Sequence, residues 1–184
     1  MKLIYIDTET GGIDYPESAL IQLAGIIEID GEEKDSFNYN IKPFPGDKVE
    51  DGALAVNNVS REDLSGYEDP KSTYRTFIQL LGKYVNKYDK TDKLHFVAYG
   101  AGFDAGHVRA WFEKCGDKYY GSWFWWPPID VMGIAAYAMM KQRHEMPNFK
   151  LMTAARAAGI EIDDSKLHDA MYDIEITREL WRAL

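Results

Sequence analysis

Short apolar runs separated by turn signals dominate the first quarter of the chain. The run Lys2–Ile6 is followed by the polar stretch DTETGG, which predicts a buried strand that leads into a loop. Residues Ser18–Ile29 are largely apolar, and Asp35–Ile41 alternates between polar and apolar positions. The dipeptide Asp30-Gly31 between these two runs is a strong hairpin signal. We therefore predict three early strands, at least two of them antiparallel.

Helical spacing prevails after residue 68. From Asp69 to about Tyr88, apolar side chains recur every three or four positions, as they do on one face of a helix. The short run Leu94–Ala98 predicts one more buried strand. Early strands followed by strands that alternate with helices predict an α/β protein with a mixed central sheet. Further helices are expected over Ala101–Lys114, Ile129–Met140, Asn148–Ala158 and from about Asp169 to Leu184.

Composition and charge limit the class of protein. The 184 residues suit a single domain over 1–184, and they carry 21 Lys and Arg against 30 Asp and Glu, a formal charge of −9. This acidity opposes long-range attraction of nucleic acid, but it permits an enzyme whose contacts are local and metal-mediated. The lone Cys115 excludes an intramolecular disulfide. No apolar run reaches about 18 residues and no signal-peptide core is present, so we expect a cytoplasmic protein that spans no membrane.

Two carboxylates stand at the end of the first strand. Asp7 and Glu9 are separated by one residue, and side chains alternate along an extended chain, so both leave on the same side. Like charges so close together repel unless a cation lies between them. The alternative is that the two residues only open the loop and cap a helix.

A third carboxylate, Asp104, begins the helix predicted over Ala101–Lys114. It lies four residues before Val108 and seven before Trp111, which places it on the apolar stripe of that helix. Complementing the helix dipole would explain its place near the N-terminus, but it explains the core-facing side less well.

The last helix supplies a fourth carboxylate, Asp173, at the edge of an inward stripe. His168 precedes it by five residues, so the two side chains can meet only if His168 lies before the helix or at its start. Asp169 is a reasonable N-cap and supports that placement. A solvated Asp173 and a structural His168 are the alternatives. The stripe consists of Ala170, Ile174, Thr177, Trp181 and Leu184.

Together the four carboxylates form a hard-oxygen cluster with a histidine beside it. Buried anions are costly unless cations neutralise them. Oxygen ligands suit Mg²⁺ or Mn²⁺ rather than zinc or copper. A pair of such ions is a common apparatus for phosphodiester hydrolysis.

Three motifs resemble those of the DEDDh 3′→5′ exonucleases. The stretch Asp7–Gly11 (DTETG) resembles the first motif, Gly102-Phe103-Asp104 the second, and His168 with Asp173 the third. The resemblance implies a ribonuclease-H-like three-layer fold with flanking helices. It also implies that Asp7, Glu9, Asp104 and Asp173 bind two Mg²⁺ or Mn²⁺ ions and that His168 is the general base.

The same resemblance implies contacts with the 3′-terminal nucleotide. They would come from Thr8, Thr10, Gly11 and Ile13, with Ile13 as an apolar wedge against the base. The chain departs from the family at two places. Gly11-Gly12 follows Thr10 where a Thr-Gly pair is usual, and Tyr99-Gly100 stands where His-Asn is frequent.

These observations predict a metal-dependent 3′→5′ exonuclease that releases nucleoside 5′-monophosphates from single-stranded or frayed ends, with DNA favoured. A 3′→5′ exoribonuclease and an inactive nucleic-acid-binding module are the alternatives. The 3′ end is the expected partner, and a homodimer or a polymerase acting in trans stays open.

Two further segments have open interpretations. Residues 119–128 (YYGSWFWWPP) could form a stacking platform for unpaired bases, although core packing or an oligomer contact is favoured. Lys141, Arg143, His144 and Lys150 could reach phosphates or simply line a solvated helix end.

Overall fold

The structure, a computed structural model, describes residues 1–166 and 169–184. Its centre is a five-stranded sheet with the strand order β3-β2-β1-β4-β5. β1 pairs antiparallel with β2, β2 pairs antiparallel with β3, and β4 and β5 continue the sheet in parallel. The predicted mixed sheet is therefore confirmed. The strands are β1 (Lys2–Thr10), β2 (Leu20–Ile29), β3 (Glu32–Asn40), β4 (His95–Ala98) and β5 (Ile129–Asp130).

Helices cover both faces of this sheet. They are α1 (Asp51–Val56), α2 (Arg61–Ser65), α3 (Pro70–Leu81), α4 (Ala101–Lys114), α5 (Val131–Ala138), α6 (Leu151–Ala157) and α7 (Ala170–Ala183). Alternation along β1 separates two cores: Ile4 and Ile6 pack with α3 and α4, whereas Leu3 and Tyr5 pack with α5, α6 and α7. The result is the expected arrangement of three layers, helices on sheet on helices.

The predicted hairpin is present between β2 and β3. Asp30 and Gly31 both have positive φ, 52° and 87°, and Ile29 pairs with Glu32. Such a two-residue turn needs positive φ at both positions, which explains the Asp-Gly dipeptide.

β1 extends beyond the apolar run from which it was predicted. The prediction ended the strand at Ile6, but ladder pairing with β2 continues through Glu9 opposite Gln22 to Thr10 opposite Leu20. Backbone pairing with a neighbouring strand does not depend on side-chain polarity, so the motif DTET stays extended.

Several helix bounds also differ from those predicted. α3 ends at Leu81 rather than near Tyr88, and Gly82 follows as its C-cap. The stretch predicted as a helix from Ile129 begins instead as strand β5, because Ile129 and Asp130 pair with Val97 and Ala98 of β4. Helix α6 begins at Leu151, three residues later than expected.

Two short helices were not predicted, and one residue assigned to the inward face of the last helix was placed wrongly. α1 and α2 are each six residues or shorter, too short for a helical period to stand out. The capping box of Ser60 and Asp63 at the start of α2 was the available signal. In α7, Leu184 is exposed rather than inward, whereas Ala170, Ile174 and Thr177 are buried as predicted.

The aromatic segment divides between core and surface. Tyr120, Trp123 and Phe124 are buried in the core on the α4 side, as the favoured interpretation predicted. Tyr119 and Trp126 are 72% and 76% exposed. Within the described residues, no helix combines the length and apolarity that a bilayer crossing requires.

Candidate active site

The first two carboxylates lie where β1 passes beyond its neighbour. β4 pairs only with Leu3, Ile4 and Tyr5 of β1, and the second half of β1 continues against β2 alone. Alternation places Asp7 and Glu9 on the same face as Leu3 and Tyr5, the face covered by α7. The predicted same-side placement thus follows from the extended backbone.

Asp104 reaches this strand from the first turn of α4. It is 5% exposed. Its Oδ1 accepts hydrogen bonds from the backbone N–H of Thr8 at 3.1 Å and from the Thr8 hydroxyl at 2.8 Å. Beyond the end of β4 the Thr8 N–H has no parallel strand partner, and the carboxylate of Asp104 takes that place. The core-facing position expected from the helical stripe is confirmed.

The start of α4 is fixed by a glycine and an aspartate. Gly100 is the N-cap and has a φ of 86°, in the left-handed region that favours glycine. Its N–H donates to Oδ1 of Asp130 at 2.9 Å, and the N–H of Met132 donates to the same oxygen at 3.0 Å. Asp130 therefore holds the starts of α4 and α5 together.

Asp173 comes from the first turn of α7. Asp169 is the N-cap of this helix, as predicted, and accepts a hydrogen bond from the N–H of Tyr172 at 3.0 Å. The proposed base His168 lies outside the described residues.

Electrostatics link the four carboxylates. Burial, followed by the charges of Asp104, Glu9 and Asp173, raises the pKa of Asp7 well above its ordinary value. Burial and then the charge of Asp173 raise the pKa of Glu9 to about 7. Burial likewise raises the pKa of Asp104 to about 7, against the opposing effect of the hydrogen bonds from Thr8.

This donor set fits a divalent cation in charge and chemistry. Among the described residues, the charges that act on Asp7 are all carboxylates, so nothing cationic there compensates them. Hard oxygen donors suit Mg²⁺ or Mn²⁺. Over 1–166 and 169–184, however, no three Asp, Glu, His or Cys side chains are gathered into a completed metal shell.

The two threonines of the first motif make contacts within the protein. Both are 7% exposed. Thr8 donates to Asp104, and the Thr10 hydroxyl donates to the Gly12 carbonyl oxygen at 2.8 Å. Ile13, in contrast, is 84% exposed, and its contact with a terminal base stays a prediction.

Gly11 departs from the family pattern for a steric reason. A Cβ at this position would lie 2.8 Å from the carbonyl oxygen of Lys48, closer than real Cβ atoms come. The backbone is held there by hydrogen bonds from the Gly11 N–H to the Ala19 oxygen and from the Glu50 N–H to the Gly11 oxygen, both 2.8 Å. The loop after β1 therefore packs too closely for a side chain.

Tyr99, the other departure, ties β4 to the segment before α6. Its hydroxyl donates to the carbonyl oxygen of Phe149 at 2.8 Å. Both Tyr99 and Gly100 therefore make hydrogen bonds within the protein that stabilise the backbone next to the site.

The sequence did not predict a groove of about 520 Å³ beside α4. Tyr15, Arg109 and Trp126 line it, and Gly102 connects it to the first turn that carries Asp104. Tyr15 follows Ile13 by two residues, and Trp126 belongs to the aromatic segment, so their place in the sequence was the available signal.

Comparison with known proteins supplies the family. The sequence matches an exonuclease family profile over residues 4–181. Ribonuclease T of Shewanella frigidimarina (strain NCIMB 400) is 31% identical over 201 residues, covering 98% of this chain and 84% of that protein. Ribonuclease T of Shewanella sp. (strain ANA-3) is 30% identical over 186 residues, covering 97% and 79%.

Solved structures share the fold. E. coli exonuclease I in complex with a dT13 oligonucleotide superposes with a TM-score of 0.75 at 19% identity, covering 98% of this chain and 40% of that one. Its zinc-bound complex with single-stranded DNA gives a TM-score of 0.77 at 20% identity, with 99% and 40% covered. The chain thus spans about two fifths of exonuclease I, and the likeness confirms the ribonuclease-H-like fold.

The family assignment rests on agreement along nearly the whole chain. The profile extends across all three motifs, from before Asp7 to beyond Asp173. Because the ribonuclease T relatives align over the same length, this chain belongs to the DEDDh 3′→5′ exonuclease family of nucleic-acid hydrolases.

Proposed function

We propose that this protein is a divalent-metal-dependent exonuclease that removes nucleoside 5′-monophosphates one at a time from single-stranded or frayed 3′ ends. The observation that carries the proposal is the carboxylate cluster. Asp7, Glu9, Asp104 and Asp173 come from three elements, and the first three have raised pKa values. An enzyme needs such a costly cluster, whereas a binding module does not.

The four carboxylates would hold two Mg²⁺ or Mn²⁺ ions. Bound divalent ions supply an activated water at neutral pH and neutralise charge on the phosphodiester. Thr8 holds Asp104 in place with its two hydrogen bonds, so this carboxylate is oriented before any ion arrives. Exonuclease I has been solved in a zinc-bound form, which supports divalent metal use in this fold.

His168 is the proposed general base. It immediately precedes Asp169, the N-cap of the helix that carries Asp173. Its neutral imidazole would take the proton from the attacking water.

The surface around the cluster suits an unpaired strand. Ile13 offers an exposed apolar side chain to the terminal base. Exposed Tyr15 and Trp126 in the groove offer faces on which bases can stack. Arg109, which forms an exposed ion pair with Glu113, could exchange that partner for a phosphate. Exonuclease I complexes with dT13 support such a substrate, and the charge of −9 opposes extended contact with duplex phosphates.

DNA is the favoured substrate, and RNA is the second candidate. The name ribonuclease T, carried by the relatives at about 30% identity, supports the RNA alternative. The solved complex of exonuclease I with a DNA oligonucleotide supports DNA. Oligonucleotides of identical sequence in DNA and RNA, compared by kcat/KM at one salt concentration, decide between the two.

The 3′-end requirement is tested with three forms of one single strand. We expect a strand with a free 3′ hydroxyl to release labelled nucleoside 5′-monophosphate, and strands that are 3′-blocked or circular to stay intact. A blunt duplex of the same sequence should react more slowly than the free single strand. Cleavage of the circular strand at the same rate would reveal an endonuclease and refute the proposal. Binding without release, in the presence of Mg²⁺ and Mn²⁺, would favour the inactive module.

A further inference from the structure

A partly buried charged cluster joins α7 to the sheet away from the four carboxylates. Glu28 of β2 has a side chain only 4% exposed, on the face that α7 covers. Its Oε2 accepts hydrogen bonds from Arg178 Nε at 2.8 Å and from Arg182 Nη2 at 2.6 Å. Both arginines belong to α7, so a single carboxylate anchors the C-terminal half of this helix.

Arg178 contacts glutamates on two neighbouring strands of the sheet. Glu28 lies directly opposite Glu33 of β3, next to an irregularity in the β2–β3 register. Two glutamates in such a cross-strand pair repel each other. Arg178 binds both, since its Nη1 donates to Glu33 at 2.7 Å, and its guanidinium lies 6.0 Å from the centre of the Tyr5 ring. These contacts link α7 to β2, β3 and β1 at once and so restrict its position on the sheet.

Asp173 and Arg178 flank the inward stripe of α7 on opposite sides. Five residues separate them, which is about 140° around the helix and about 7.5 Å along its axis. Ala170 and Ile174 lie between them and pack on Leu3 and Tyr5. Apolar contacts of this kind tolerate small rotations and shifts of a helix, whereas a forked guanidinium bond to two carboxylates does not.

Buried ion pairs contribute little to stability on balance, because desolvation offsets most of the attraction. Such a pair can instead hold the two elements that it joins in a single defined orientation. At this position the orientation matters chemically, because the same helix carries one of the four carboxylates.

We propose that Glu28 is a positioning residue for the metal site: through Arg178 and Arg182 it fixes the rotation and height of α7, and thereby the place of Asp173 beside Asp7 and Glu9. This inference rests on the proposed function. Among the residues that the structure describes, no metal shell is complete, so the affinity for metal depends on how nearly α7 is already in place.

The test is Mn²⁺ binding by calorimetry to the full chain, with the melting temperature measured in parallel. We expect Glu28→Gln, which keeps the shape and removes the charge, to weaken Mn²⁺ binding about tenfold, the smaller effect typical of residues that orient metal ligands. Arg182→Ala should weaken binding in the same direction, and it removes a half-exposed side chain that the fold tolerates losing. The matched control is Asp92→Asn, which breaks the partly buried ion pair with Lys2 at the other end of β1 and leaves α7 untouched.

The control separates positioning from simple stabilisation. We expect Asp92→Asn to lower the melting temperature and to keep the wild-type Kd for Mn²⁺. A wild-type Kd in folded Glu28→Gln overturns the inference. If that variant does not fold, a wild-type Kd in Arg182→Ala overturns it. A wild-type chain that binds no Mn²⁺ overturns the proposed function as well, whereas unchanged variants beside a binding wild type overturn only the role of Glu28.

Discussion

At the scale of single residues, Thr8 shows how a motif can serve the scaffold of its own site. The resemblance to the family implied a nucleotide contact for this residue, and that contact stays a prediction. Its hydroxyl and its N–H both donate to Asp104, 96 residues away in sequence. A link between positions so far apart leaves no pattern in one sequence, whereas the core-facing position of Asp104 follows from its spacing to Val108 and Trp111.

His168 gives the sharpest residue-level prediction. We expect His168→Ala to lose roughly 10²–10⁴-fold in kcat, the usual contribution of a general base. Mn²⁺ binding should persist, because the four carboxylates remain. The wild-type rate should rise as the histidine loses its proton and then level off, because only the neutral ring accepts a proton. Near-wild-type kcat in the variant at neutral pH would leave the enzyme without this base.

Cys115 provides a pH prediction that is independent of the active site. Burial raises the pKa of its thiol to about 12. Because only the thiolate reacts with disulfide reagents, the folded protein should react slowly at pH 8 and faster as the pH rises towards that value. In guanidinium the thiol should titrate near its ordinary value of about 8.5 and react quickly at pH 8. Equal rates in the folded and unfolded protein at pH 8 would contradict the assigned burial.

At the scale of elements, the join between β4 and α4 positions the second motif. Gly100 turns the chain with a positive φ, and its N–H donates a hydrogen bond to Asp130 of the neighbouring strand. The first turn of α4 then presents Asp104 to β1 past the end of β4. The family pattern often carries His-Asn at this connection, where this chain has Tyr99 and Gly100.

Matched alanine substitutions test this join. Gly100→Ala should lower the free energy of unfolding by about 1–2 kcal/mol, because an L-residue is strained in the left-handed region. Gly102→Ala should raise it by about 0.5–1 kcal/mol, because helical alanine is favoured over glycine and the new Cβ meets nothing within 4 Å. Urea unfolding of both variants measures the difference. A Gly100→Ala variant as stable as the wild type would show that the join relaxes without cost.

Elements with a local sequence pattern, such as a helical period or a turn dipeptide, were predictable from sequence. Elements whose conformation depends on pairing with a neighbouring strand were not. α4 and the Asp30-Gly31 hairpin matched because period and turn chemistry are local properties. β1 was predicted too short and β5 was predicted as helix, because pairing with β2 and β4 decided both. At the active site, the same-side placement of Asp7 and Glu9 followed from strand alternation. The groove of Tyr15, Arg109 and Trp126 joins distant segments and could not be derived that way.

At the scale of the whole molecule, charge is distributed for local binding. The net charge of −9 includes the four carboxylates near the C-terminal end of β1, where the described residues place no cation among the charges acting on Asp7. Two divalent ions would neutralise the charge of the four carboxylates and make an anionic phosphodiester acceptable there. Substrate binding and metal binding are therefore coupled in this account, since the same ions compensate both the protein and the nucleic acid.

The most direct test is nucleotide release from a 3′-labelled single strand while Mg²⁺ is titrated back into fully chelated protein. We expect no release without the ion and saturable recovery with it. Asp7→Asn should show no detectable release at any Mg²⁺ concentration, and its metal-free melting temperature should be no lower than that of the wild type, because one of the mutually repelling charges is gone. Asp89→Asn, which alters an exposed carboxylate outside the cluster, should behave as the wild type. Full release by the chelated wild type, or wild-type recovery in Asp7→Asn, would contradict the account.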